Sequence, residues 1–411
     1  MREMSNQYKK TKFGLIPNDW EIKKLKNIGN STIGLTYSPK DVVDEEGILV
    51  LRSSNIKDGR LSFQDNVYVK KNVPEKLLLK KGDILVCSRN GSRSLIGKNV
   101  LITEDTNYTF GAFMLVFRSK YNEYLYQLFQ TNMYQKQIQA NLGATINQIT
   151  TKDLNSFQFP FPKSEKEQKK IISILSTWDK AIELKEKLIE QKKELKKGLM
   201  QKLLTGEVRL PGFEGEWKEV KLKDLGVLKA GSAFPEKYQN QLNGKYPFFK
   251  VSDMNNEENE KYMLTANNYI SEDIRTELKA SVIPKNSIVF AKVGAALFLE
   301  RKRLLKFDSC IDNNMMALVV KENIDFSFVY YLLLNMKLSR YSNVGALPSL
   351  NSKDVYSIKC KVPETFEEQK AISRFLSLFD KEISLLQNEL LSIEQQKKGL
   401  MQLLLTGKVR V

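Results

Sequence analysis

The sequence predicts an α+β protein: two similar globular α/β domains and two long helices that form an antiparallel coiled coil. Three observations lead there. Residues 164–210 and 365–411 align without a gap at a shift of 201, with 22 of 47 positions identical. Each of these segments places apolar residues at helical spacing over about 40 residues. The stretch before each one alternates short β-like runs with turn residues.

The repeat organises the chain. Its identical pairs include Glu167/Glu368, Gln168/Gln369, Asp179/Asp380, Lys180/Lys381 and the block Lys196–Gln201 against Lys397–Gln402. Fainter matches extend it: Lys152-Asp153 with Lys353-Asp354, Pro162 with Pro363, and, at a shift of 197, Trp20–Gly29 with Trp217–Gly226. A whole unit of domain plus helix therefore occurs twice. The expected boundaries are 1–163 and 211–363 for the domains, 164–210 and 364–411 for the helical segments. The helices and domain entries stay alike, whereas the interiors of the domains have diverged. Two copies with one mechanical task stay alike; two copies that recognise different things drift apart.

Residues 165–204 contain no proline and a single glycine, Gly198. Their apolar stripe is Ile171, Leu175, Trp178, Ile182, Ile189, Leu195 and Leu199. The second copy offers Ile372, Phe375, Leu376, Phe379, Ile383, Leu386, Leu390 and Ile393. Thr205-Gly206 and Thr406-Gly407 supply glycine stops. A helix of this length is a rod of roughly 60 Å. A rod with one apolar stripe needs a partner along its length, and the other copy is the obvious one. The alternative, each helix packing on its own domain, fits so long a stripe less well.

Before the first helix the β-like runs are Ile48–Leu51, Asp83–Cys87 and Phe113–Phe117; before the second they are Pro247–Val251, Ser287–Phe290 and Met316–Val320. Helical stretches follow near 122–140 and 326–341. Polar and basic residues cluster after the strands. Arg52, Ser53, Ser54 and Asn55 follow one; Lys250, Ser252 and Asp253 are their counterparts at a shift of 198. Arg89, Asn90, Ser92, Arg93 and Lys98 follow another. Lys292 stands in the corresponding place of the second half, with Arg301, Lys302 and Arg303 soon after. Arg and Lys suit guanine or phosphate, Asn suits adenine and Ser suits either, so these groups are candidate DNA contacts. Any one of them is equally a solvated loop residue; jointly they favour DNA.

Charge agrees. The chain has 65 Lys+Arg against 48 Asp+Glu, a net +17, which points to a polyanionic partner. There is no histidine, which removes the commonest general base and every Ser/His or Cys/His nucleophile pair. Cys87, Cys310 and Cys360 match no metal or redox spacing and read as small buried residues in a reducing compartment. The first residues, MREMSNQYKKTK, form no signal peptide, and the most apolar stretch, 326–336, is too short for a membrane span, so a cytoplasmic protein without membrane association is expected.

Enzyme motifs fail on inspection. Gly91 to Gly97-Lys98-Asn99 resembles a phosphate loop, but has one residue too many between the glycines and Asn where Ser or Thr should stand. Asp179, Glu183 and Lys185 resemble a nuclease set, yet they lie on the rod beside its apolar stripe. No glycine-rich dinucleotide cradle opens a helix. A self-contained nuclease or methyltransferase, or a coiled-coil scaffold using charge only for solubility, remain as alternatives.

These residues resemble a known family, the specificity subunits of type I restriction-modification systems, over nearly the whole length. The carriers are Gln168–Leu210 and Gln369–Val411, with their shared Lys-Lys-Gly-Leu-Met-Gln and Leu-Leu-Thr-Gly. The entries Pro17-x-x-Trp20-x-x-x-x-Leu25 and Trp217-x-x-x-x-Leu222, and Gly82-Asp83-Ile84-Leu85 with Gly91 and Gly97-Lys98, add to them. The second half departs at Asn286-Ser287, where the Gly-Asp would stand. The resemblance implies two target recognition domains, each reading half of a split, asymmetric DNA target, with the helices as spacer and platform. It also implies two modification subunits that methylate adenine N6, and restriction (motor-nuclease) subunits. S-adenosylmethionine, ATP and magnesium would then sit on those partners, with no cofactor, metal or catalytic residue on this chain.

Overall fold

The computed structural model describes residues 7–143, 147–343 and 347–411. Residues 1–6, half of the stretch read above for a signal peptide, lie outside them. The chain divides into two compact units, residues 1–186 with 389–411, and residues 187–388.

The first unit is built on a central sheet of strands β1 (Asn30–Ile33), β2 (Ile84–Cys87), β3 (Asn99–Leu101) and β4 (Met114–Arg118), in the order β3-β2-β4-β1. Its two middle strands are buried on both faces. Ile84 and Val86 of β2, with Leu115 and Phe117 of β4, enter a core they share with helices α1 (Asn122–Phe129) and α2 (Asn132–Asn141). The alternate residues Leu85, Cys87, Met114 and Val116 enter a second core with Leu49–Leu51 and Phe110. Side chains on a strand alternate faces, so an unbroken apolar run means a strand covered on both sides. The predicted helix over 122–140 is two helices, broken at Gln130-Thr131, with Tyr134 stacked on Phe129 across the break at 4.4 Å between ring centroids.

The second unit repeats this plan. Strands β5 (Gly226–Ala230), β6 (Ile288–Ala291), β7 (Lys302–Leu305) and β8 (Met315–Val320) pair in the order β5-β8-β6-β7. Ile288, Phe290, Met316 and Leu318 face a core with helix α3 (Phe326–Asn335), and Val289, Met315 and Ala317 face the other side. Where the first domain turns into β2 with Gly82 at φ 88°, the second uses Asn286 at φ 67°. Asn tolerates the left-handed region better than other residues with a Cβ, so the departure in sequence keeps the turn. Cys87, Cys310 and Cys360 are free and buried, and burial pushes the first two thiols up to about 11.

Two long helices, α4 (Glu165–Thr205) and α5 (Phe366–Leu404), run through both units. In the first unit Lys397 pairs with Asp179, and Lys185 meets Glu389 at 2.7 Å. In the second, Lys196 pairs with Asp380, and Lys192 meets Glu382 at 2.6 Å. Within each unit the numbers rise along one helix as they fall along the other, so the two helix halves are antiparallel.

The apolar stripe does more than form a seam. Ile171 and Leu175 join the core of the first domain together with Met401, Leu404 and Leu405; Ile372 and Leu376 join that of the second with Leu203 and Leu204. The expected pairing and the alternative of packing on the domain are thus both realised. Ile189 and Ile383 are buried, while Trp178, Ile182, Leu199, Phe379, Leu386 and Leu390 are half-buried. Leu195 corrects the expectation: it is 50% exposed, because the stripe drifts around a straight helix and leaves that position outside.

Candidate nucleic-acid interface

Five of the predicted contact residues converge. Arg52, Ser53, Ser54, Arg89 and Asn90 line an open cleft of about 1000 Å³ on the first domain, with Tyr37, Asp65, Phe113 and Asn147. Two of the loops that line it, one leaving Ile48–Leu51 and the other leaving β2, are tied down from within. Asn90 donates its side-chain N–H to Ser53 Oγ at 2.9 Å and accepts from the Ser92 N–H at 2.9 Å. Asn147 donates to the Gly91 carbonyl at 2.9 Å. Arg52 forms an ion pair with Asp65 at 2.8 Å.

Arg89 is left outward. Its guanidinium lies over the Phe113 ring at 5.1 Å from the centroid, and Phe113 is 58% exposed. The rest of the loop points elsewhere. Arg93 donates to Gln139 at 3.3 Å, Ser92 shares a hydrogen bond with Ser94 at 2.9 Å, and Lys98 is half-buried behind the loop.

Asn55 is a correction. It is buried, accepts the Arg52 backbone N–H at 2.9 Å and donates to the Ser62 and Asp65 carbonyls at 3.0 and 3.1 Å. Its polar atoms are spent on holding the turn, so none reaches a base. Asp253 does the same in the second domain, accepting the Lys250 and Asn267 N–H groups at 2.6 and 3.2 Å. Burial raises its carboxyl above the ordinary value against those hydrogen bonds. The matched pair confirms the 198-residue offset between Arg52 and Lys250.

The backbone hydrogen bonds align the second loop residue by residue. Ser88 N–H donates to the Phe113 carbonyl at 2.9 Å; Lys292 N–H donates to that of Asn314 at 2.9 Å. Arg89 bridges to Gln148, and Val293 bridges to Ser349. By hydrogen-bond pattern Lys292 therefore corresponds to Ser88, Val293 to Arg89, Gly294 to Asn90 and Asn314 to Phe113. Two positions that bear an arginine and its aromatic platform in one domain bear valine and asparagine in the other. Lys250 donates to Gln239 at 3.0 Å, and Ser252 is exposed.

The Arg301–Arg303 run is not a loop cluster. Lys302 opens strand β7 and, by strand alternation, points inward, 1% exposed, to Glu300 and the Met336 carbonyl. It is too enclosed to meet DNA, and its role is structural. Arg301 is hydrogen-bonded to Asn255. Arg303 donates to the Asn259 carbonyl at 2.5 Å and borders a different cleft in the second unit, of about 940 Å³, which Lys193, Lys196, Lys197, Lys261, Lys337 and Lys381 also line. Asp380 lies within it, held by Lys196, Lys261 and the Tyr331 hydroxyl. Burial works to raise its carboxyl, but the two lysines overcome that and leave it below the ordinary value.

Sequence reading missed two features. Phe113 looked like the start of a strand; its clue was an aromatic residue after Gly111-Ala112, just outside the buried run. The other is a clasp beneath each domain. Glu167, which is buried, accepts from Trp20 Nε1 at 3.3 Å and from Arg410 Nε at 2.6 Å, and Arg410 also grips Asp19 at 2.8 and 2.9 Å. In the second unit Glu368 accepts from Trp217 Nε1 at 3.2 Å and Arg209 Nε at 2.6 Å. Trp20, Glu167 and Arg410 recur in the repeat as Trp217, Glu368 and Arg209, the arginines in exchanged order, so pairing the repeated Arg with the repeated Glu would have found it.

Among the described residues no helix is long and apolar enough to cross a membrane, and no group of three or more Cys, Asp or Glu side chains converges as a metal site requires. The family described as "Type I restriction modification DNA specificity domain" matches residues 17–194 and 214–395. A Methanocaldococcus jannaschii relative, called a type I restriction enzyme MjaIX specificity subunit, is 26% identical over 98% of this chain and 97% of its own. The Escherichia coli EcoKI specificity subunit is 22% identical over 89% and 83%. A crystal structure of a type I restriction-modification S subunit from M. genitalium superposes with a TM-score of 0.56 at 18% identity, covering 94% of this chain and 96% of that one. That likeness is one of fold.

Proposed function

The chain belongs to the type I restriction-modification DNA specificity family, as a specificity subunit, and we propose that it reads a bipartite, asymmetric DNA target for catalytic partners. Each domain takes one half-site. The observation that carries this reading is the pair of matched loops: the same backbone hydrogen bonds on the same scaffold, with Arg89 and Phe113 in one domain and Val293 and Asn314 in the other. Two readers on one plan with different side chains at the mouth suit two different half-sites. The net charge of +17 supports attraction to the phosphate backbone on top of base reading.

The proposed partners are two modification subunits, which carry S-adenosylmethionine and methylate adenine N6, and restriction subunits, which use ATP and magnesium. This chain holds none of these groups itself. The paired helices serve as spacer and platform, and two readers on one face of the duplex call for half-sites about one turn, roughly 10 base pairs, apart. The setting is the cytoplasm.

The test is transfer of labelled methyl groups. The purified chain, given S-adenosylmethionine and DNA, transfers nothing; adding modification subunits yields transfer at one split motif. Transfer by the chain alone, or by the complex without sequence preference, would overturn the reading.

A further inference from the structure

Several polar groups of the first reader's cleft are committed to its own walls. Arg52 is paired with Asp65 at 2.8 Å, Asn90 with Ser53 at 2.9 Å, and Asn147 with the Gly91 carbonyl at 2.9 Å. Among the described residues no hydrogen bond or ion pair holds the Arg89 guanidinium. What holds it is the Phe113 ring, 5.1 Å below its central carbon. The ring is 58% exposed, so its face is open at the mouth of the cleft. A guanidinium resting over a ring leaves its in-plane N–H groups free to pair. The guanidinium itself is a planar fork with two parallel donors.

A guanine edge in the major groove offers two adjacent acceptors, O6 and N7, in the plane of the base. A fork held flat matches that edge; a flexible ammonium does not. We infer that Arg89, presented on Phe113, is the residue that selects a guanine in the first half-site, and that the second half-site has no such requirement at the equivalent place. There the corresponding residues are Val293 and Asn314, which supply neither fork nor platform. The inference rests on the proposed two-half-site reading and adds the base chemistry of one of them.

The assembled complex of the full chain with its modification subunits is tested on a randomised DNA library, and methylated molecules are sequenced. Arg89→Ala and Arg89→Lys, which keeps the charge but loses the fork, are compared with the parent, and Phe113→Leu removes the platform. The expected result is a guanine at one position of one half-site whose preference falls about 10-fold or more in both Arg89 variants, and by less in Phe113→Leu. Every other position stays unchanged. Arg89→Lys serves where Arg89→Ala does not fold. Equal weakening on all sequences, with every position retained, would make Arg89 a phosphate contact and overturn the inference. So would an unchanged motif, or relaxation at a base other than guanine. Absence of any motif in the parent complex would instead overturn the half-site reading itself.

Discussion

Arg410 reaches Glu167 across 243 residues of sequence and lies over the entry of the first domain. Glu167 is buried, so removing its partner leaves a carboxylate with only the Trp20 N–H. Arg410→Ala should lower stability by about 1–3 kcal/mol in denaturant titration, the cost of stranding a buried polar group. Arg209→Ala should do the same through Glu368, which it contacts at 2.6 Å. Asp380 tests the charged cleft. Asp380→Asn should cost about 1–3 kcal/mol at neutral pH by leaving Lys196 and Lys261 without their anion. The pH dependence has a definite sign. The folded carboxyl titrates below the ordinary value of 3.8, so its contribution is complete above that pH and is lost as the pH falls through the folded value. The difference between parent and variant should therefore hold from pH 7 to about 4 and shrink only below it. A gap that widens in acid would refute the assignment.

At the scale of elements, the helix ends show how alike the two units are. After α4, Val208 N–H returns to the Lys202 carbonyl at 3.2 Å, with Gly206 at φ 75°; after α5, Val409 N–H returns to Leu403 at 3.3 Å, with Gly407 at φ 69°. Both glycines take the left-handed conformation that commonly ends a helix. Their surroundings differ. A Cβ on Gly206 would lie 3.2 Å from the Trp217 ring, whereas one on Gly407 would lie 2.5 Å from the Pro17 ring. Gly407→Ala should thus cost about 2–3 kcal/mol and Gly206→Ala about 1, read by thermal unfolding. Equal costs would mean that the backbone alone decides. The central strands were readable in advance because buried runs such as Ile84–Cys87 are local facts of composition. The split of the 122–140 helix at Gln130-Thr131 was not, since Tyr134 stacks on Phe129 across it only in the folded chain.

For the whole molecule, the two helices cross from one unit into the other, and their ion pairs set a single antiparallel register within each. Glu190 lies between the two sets of pairs. Inserting one turn, four residues, after Glu190 and four more in the facing segment near Leu385 preserves both sets. The expected outcome is a longer untouched gap in the methylated motif, by about one to two base pairs since four residues add roughly 6 Å, with both half-sites intact. A change in the half-site sequences instead would show that the helices do not act as spacers.

The sequence by itself determined the duplication, the two helices with their glycine stops, the buried strands and the basic charge, because each is written in residues close together along the chain or in an exact repeat. It also located the loops of the first cleft. The tertiary structure decided which loop side chains face out. Asn55, Asp253 and Lys302 turn inward, Arg89 stands on Phe113, and Val293 takes its place in the other domain. The physical reason is that a side chain at a strand end points where pairing and turn hydrogen bonds send it. Those partners, like Arg410 for Glu167, come from distant parts of the chain that only folding brings together.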